Sequence, residues 1–205
     1  MIDDLLSEED ARTHLEPHLE AIRGCIEDGW AEWHRNVQAA PSLALTSKTS
    51  RANVVYDHIS SRMEAYFDQQ GVPTSRKRGF LTVSLADGVI EVRAKKFAHR
   101  HKLTTSGIPT YQRLAMLHQQ VPLDGLAVTH ITVGYFPDEL GVGLDVVAVA
   151  CSYGRELVWW IDLRADGTAA ANPVPLVSID SPDEGPSVRS TRKPLEVEEG
   201  MTEAQ

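Results

Sequence analysis

Residues 75–102, SRKRGFLTVSLADGVIEVRAKKFAHRHK, read as a β-hairpin whose positive charge gathers at one end. Asp87-Gly88 lies between two alternating runs, Phe80 to Ala86 and Val89 to Phe97. An Asp-Gly pair suits a two-residue type I′ turn, because both central residues need positive φ. Such a turn fixes the register: Leu85 faces Ile90, Val83 faces Val92 and Leu81 faces Ala94. All six are apolar, so this is the buried face. On the other face Ser84 opposes Glu91, Thr82 opposes Arg93 and Phe80 opposes Lys95, and the register runs on to Gly79 opposite Lys96. Arg76, Lys77 and Arg78 then enter beside the exit of Phe97 to Lys102, and the two basic runs form one patch at the open end.

From Thr74 to Lys102 there are eight Lys/Arg (Arg76, Lys77, Arg78, Arg93, Lys95, Lys96, Arg100, Lys102) and two acids, Asp87 and Glu91. That stretch carries +6, while the rest of the chain, with 12 basic and 27 acidic residues, carries −15. Mutual repulsion in such a patch costs stability unless a counter-charge relieves it, so the hairpin is expected to meet an anion. Phosphate, an acidic partner and the chain's own acidic parts all qualify.

On the N-terminal side, Ser7-Glu8-Glu9-Asp10 resembles a capping box and opens a helical pattern to about Val37, with Leu15, Leu19, Ile22, Ile26, Trp30 and Trp33 on one stripe. Pro17 is expected to interrupt or restart it. A connector follows over 38–48, then a second helix from about Thr49 to Gln70 with Val55, Ile59, Met63 and Tyr66 or Phe67 inward. On the C-terminal side come a polar loop (Leu103–Pro109), a short helix (Thr110–Gln120) and three strands: Leu126–Phe136, Val142–Cys151 and Leu157–Leu163. The expected fold is α+β: one domain over 1–164, a single mostly antiparallel sheet of about five strands, and the N-terminal helices packed on one face. Residues 165–205, with eight acids and three bases, lack hydrophobic periodicity and are expected to form a disordered acidic tail.

Net charge −9 argues against coating nucleic acid with the whole surface but leaves local contact through the patch open. Cys25 and Cys151 are far apart, with no CxxC or His/Cys cluster, so no zinc site, metal or cofactor is expected. The sequence shows no signal-peptide pattern and no apolar run approaching the roughly 20 residues of a spanning helix, so a cytoplasmic protein without membrane contact is expected.

The chemistry has several candidates. Glu91, Arg93 and Lys95 line one strand face, similar to the carboxylate and lysine of metal-dependent nucleases of the restriction-enzyme type. Here position 93 is Arg, the second metal-binding Asp would fall near Ser84 or Thr82, and Asp87 lies too far along in the turn. His99 and His101 stand on one side of HRHK if it is extended, where they suit acid–base work on RNA with Lys96 or Arg100 on the phosphate. His58 shares a helical face with Arg51 and Arg62. A polar pocket lined by Arg51, His58, Glu91 and Arg93 would favour an enzyme, whereas a flat solvated hairpin face would favour a binder. His130 reads as a semi-buried core histidine. His14, His18 and His34 lie among acids without a metal-site pattern. Of Trp159 and Trp160, adjacent on a strand, one points in and the other out.

Arg51-Ala52, Asp57-His58, Val92-Arg93-Ala94-Lys95-Lys96, the Gln119 helix, Gly134-Tyr135-Phe136-Pro137-Asp138 and a closing Trp159 or Trp160 strand span residues 51–163. In that order they resemble a bacterial and phage group encoded beside antitoxin-type regulators, which combine a helix-turn-helix with a zinc-peptidase-like domain. The resemblance implies a toxin-like or defence-associated module controlled by a cognate regulator protein, and it carries over no catalytic residue. The expected function is therefore a module whose basic hairpin engages nucleic acid or a nucleotide. The alternatives are a non-enzymatic module docking an acidic protein, and a small nuclease.

Overall fold

A computed structural model describes residues 5–105, 111–119 and 128–164, without the side chains of 111–113. The expected acidic tail, the start of the short helix and the first residues of the strand after it lie outside the described residues. The described order is α1 (Glu8–Ala39), a 3₁₀ turn (Pro41–Leu45), α2 (Lys48–Gln69), β1 (Thr74–Lys77), β2 (Phe80–Leu85), β3 (Ile90–Lys96), α3 (Tyr111–Leu117), β4 (Thr129–Pro137), β5 (Leu144–Tyr153) and β6 (Glu156–Asp162). The six strands form one sheet in sequence order, and only β3–β4 are parallel.

The fold is the expected α+β class with one extra strand. Residues 74–77, TSRK, carry no apolar alternation, but they pair with β2 from Thr74–Val83 to Lys77–Phe80. The turn between them is Arg78-Gly79, with φ of 54° and 82°, so it is a two-residue hairpin turn.

The β2–β3 register is as expected, with Leu85–Ile90, Ser84–Glu91 and Val83–Val92 opposed. Asp87 and Gly88 take positive φ, but so does Ala86, and the connection is a four-residue loop closed by Val89 N–H to Ala86 O at 3.1 Å. The ladder also ends at Val83–Val92 and does not run on to Gly79–Lys96. Beyond it the Leu81 N–H goes to the Tyr56 hydroxyl of α2 at 2.7 Å, and that hydroxyl donates to Gly79 O at 3.2 Å. A helix side chain thus takes the place of the last rungs.

The helices cover one face of the sheet. Leu81, Val83, Leu85, Ile90, Val92, Ala94, Ile131, Val133 and Val149 bury against Leu15, Ile22, Ile26, Trp30, Val55, Ile59, Met63 and Phe67. α1 runs unbroken through Pro17, with Ser7 capping the Asp10 N–H, because its buried stripe is held against α2 on both sides of the proline. At Gly29 the helices touch: a Cβ there would sit 2.6 Å from Ile59 Cγ1. The other face of the sheet carries a smaller cluster of Phe97, Leu103, Ala148 and Ala150, against which Trp160 packs. The outward tryptophan is thereby covered from within the chain, while Trp159 is buried and donates to Leu6 O at 2.9 Å. Among the described residues no helix is long and apolar enough to cross a membrane.

Candidate nucleic-acid interface

The basic residues of the hairpin share one end of the sheet but not one face. In β3 the pleat sends Ile90, Val92 and Ala94 into the helix layer, and Lys96 has the same parity; Glu91, Arg93 and Lys95 point to the opposite face. In β1 Arg76 opposes the buried Leu81, and Lys77 opposes Phe80. The single patch expected from the sequence is therefore split. Arg76 and Lys96 lie on the helix side, Lys77, Arg93 and Lys95 on the open side, and Arg78 occupies the turn between β1 and β2. Register predicts how close two runs come, but alternation divides each run between faces.

Several of these cations are already engaged. Arg76 forks onto Glu64 of α2, with Nε at 3.0 and 2.9 Å and Nη2 at 2.8 Å, and this hydrogen bonding holds the Glu64 carboxyl below its usual range. Arg93 donates to Thr82 Oγ1 at 3.0 Å and lies 3.6 Å from Glu91. Arg100 pairs with Asp145 at 2.8 Å. Lys77, Arg78, Lys96 and Lys102 have no carboxylate partner among the described residues.

Between those cations stands an aromatic ring. Phe80 is 43% exposed although it begins a strand whose next three residues are buried. The Lys95 ammonium lies 4.1 Å from its ring centroid, and the Tyr56 ring is 6.0 Å away at 59°. Lys77 is its strand partner, and Arg78 is two residues before it in the turn. An exposed ring rimmed by cations is the element from which single-stranded nucleic-acid platforms are made.

The acid–base candidates fall elsewhere. Glu91 meets His130, its register neighbour on β4, with Oε2 3.2 Å from Nδ1. The nitrogen sits off the line of a good hydrogen bond, so the pair is best treated as an electrostatic contact. Contact with His130 nevertheless outweighs burial and holds the Glu91 carboxyl below its usual range, with Arg93 and Lys77 adding to it. His130 is fixed through its backbone: Gln119 accepts its N–H at 2.7 Å and donates to its carbonyl at 2.9 Å and to Ser152 O at 2.9 Å.

Sequence reasoning missed this arrangement because His130 looks like any histidine on a half-buried strand. Its register opposite Glu91 depends on a parallel pairing that no local signal announces. Glu64, Asp145 and Tyr56 were missed for the same reason, since their partners lie on other elements.

His58 bonds Asn36 at 3.1 Å and lies in the helix layer, on the far side of the sheet from Glu91 and Arg93. Among the described residues Arg51, His58, Glu91 and Arg93 therefore do not line one pocket. His99 and His101 do not stand in an extended run. Leu103 N–H bonds His99 O at 3.0 Å and Ala98 N–H bonds Thr104 O at 2.7 Å, closing 98–104 into a tight turn whose residues 99–102 are exposed. The extended arrangement that aligned the two imidazoles is absent. Among the described residues no group of three His, Cys, Asp or Glu side chains is placed to hold a metal ion.

A concavity of about 540 Å³ lies at the other end of the hairpin between His14 and His18 of α1 and Asp87 of the loop. His18 is turned to the Tyr66 hydroxyl at 3.0 Å, and burial lowers its proton affinity. Comparison with protein-family models, curated proteins and solved structures gives no match.

Proposed function

We propose that the protein is a binding module for single-stranded nucleic acid, with the mouth of the β1–β2–β3 unit as its contact surface. The observation that carries this reading is the exposed Phe80 ring set among Lys77, Arg78 and Lys95. A base stacking on Phe80 would set its adjoining phosphates beside Lys77 and Arg78. Stacking on an aromatic residue is worth about 1–3 kcal/mol per base and tolerates any sequence. The net charge of −9 confines anion contact to this end of the molecule. The reading extends to a cytoplasmic role, consistent with two buried free thiols whose pKa values burial pushes up to about 11 for Cys25 and about 12 for Cys151. It also extends to toxin-like or defence-associated activity under a partner protein, which expression alone and beside the neighbouring gene would test.

Fluorescence anisotropy with a labelled oligouridylate tests the surface. Phe80→Ala should weaken binding about tenfold or more, in keeping with the loss of one stacked base. The double variant Lys77→Glu/Arg78→Glu should abolish it while the melting temperature stays near wild type. Capture of an acidic protein through Lys77 and Arg78 without any oligonucleotide binding would replace this reading with that of a protein-docking module.

A further inference from the structure

The concavity at the closed end of the hairpin, about 540 Å³, falls within the roughly 300–1,000 Å³ of small-molecule sites. It joins one face of α1 to the β2–β3 loop. His14 and His18 stand one helical turn apart on one wall, Asp87 lies on the loop side, and Val72, Pro73 and Leu85 add apolar surface.

The polar groups fixed here are hydrogen-bond acceptors. The Tyr66 hydroxyl donates to Pro17 O at 3.4 Å and so accepts the Nδ1 proton of His18 at 3.0 Å, which leaves Nε2 with its lone pair. Burial lowers the proton affinity of His18 and favours this neutral form. Asp87 adds a carboxylate, and no Lys or Arg of the described residues pairs with it. The loop that presents it is held at positive φ, 50° at Ala86 and 53° at Asp87, and such backbone strain gathers at ligand clamps. α1 contributes a cation-attracting field, with eight acids against three arginines over Glu8–Ala39. His14, His18 and Asp87 do not converge on a point: among the described residues no group of three such side chains is placed to hold a metal ion. A ligand that satisfies them has to span the concavity, with N–H donors at its ends and an alkyl body against Val72 and Pro73.

We infer that this concavity binds an aliphatic diamine, with one ammonium group on Asp87 and the other on Nε2 of His18. Asp87 is exposed, and an exposed ion pair contributes little alone, so the alkyl contact and the second acceptor carry the selectivity. The site goes beyond the Phe80 surface and does not depend on it.

The test is thermal melting of the full chain with diaminobutane, against butanediol and ammonium chloride at equal ionic strength, while NMR follows the ring protons of His18. The expected result is a melting temperature that rises and saturates with the diamine alone, and His18 resonances that shift over the same concentrations. Asp87→Asn should remove both responses and itself melt near wild type, because Asn also accepts the left-handed conformation. Glu139→Gln, at an exposed acid of the β4–β5 loop, should keep both responses. Lys77→Glu/Arg78→Glu should keep them too while losing oligouridylate, which separates failure of this site from failure of the nucleic-acid surface. Butanediol or ammonium stabilising as much as the diamine, an Asp87→Asn protein responding like wild type, or loss of the response in Glu139→Gln would each overturn the site.

Discussion

At the residue scale the hairpin loop holds two of the positive-φ non-glycine residues, Ala86 and Asp87. Ala86 sits at φ 50°, a left-handed conformation that costs a non-glycine residue about 1 kcal/mol. Ala86→Gly should therefore stabilise the fold by about 0.5–1 kcal/mol, since the gain in native strain outweighs the added chain entropy; chemical denaturation measures it, and a destabilised variant would show that the methyl is needed for packing. Glu91 makes a second residue-level prediction. Its carboxyl is held below the usual range in the folded chain, chiefly by His130, so its contribution is present above the unfolded value of about 4.3 and is lost as pH falls through the lower folded value. Glu91→Gln should melt below wild type near neutrality, and that gap should close as the pH drops below about 4. Melting curves that stay parallel across that range would show that the Glu91–His130 contact contributes nothing. The register that places Glu91 opposite Ser84 was legible from Asp87-Gly88 alone, whereas His130 was not, because the β3–β4 neighbourhood is made across the 32 intervening residues 97–128.

At the element scale the β4–β5 pair is completed by a side chain. The strands pair in one register from Ile131–Cys151 to Phe136–Val146, and beyond the Ile131–Cys151 end Gln119 bridges His130 and Ser152. Gln119→Ala would leave a buried N–H and two carbonyls short of partners, and should cost about 2–3 kcal/mol. Equilibrium unfolding checks this; a loss under about 0.5 kcal/mol would mean that water replaces the amide. The elements themselves were largely readable. The stripes of Leu15 to Trp33 and Val55 to Phe67, and the alternation in β2, β3 and β6, follow from burial on one side. β1 escaped because a short edge strand of Ser, Arg and Lys has no face to bury, and such polar edges are what guard a sheet against further pairing. The proline in α1 misled because two helices packed at Gly29 and Ile59 hold the turn that local propensity would break.

At the scale of the whole molecule, the charge asymmetry is the feature that sequence and structure share. Composition alone located an excess of +6 between Thr74 and Lys102. Composition cannot say which cations are engaged inside the fold: Arg76, Arg93 and Arg100 are held by Glu64, Glu91 and Asp145. Among the described residues, Lys77 and Arg78 beside Phe80 are left for a ligand. The most direct measurement is the salt dependence of oligouridylate binding by the wild-type protein and by Lys77→Glu/Arg78→Glu. The expected result is weak binding whose log–log slope against salt is about −0.7 for each phosphate neutralised, and no binding by the double variant. A salt-independent affinity, or a double variant that binds like wild type, would contradict a nucleic-acid surface at the mouth of the hairpin.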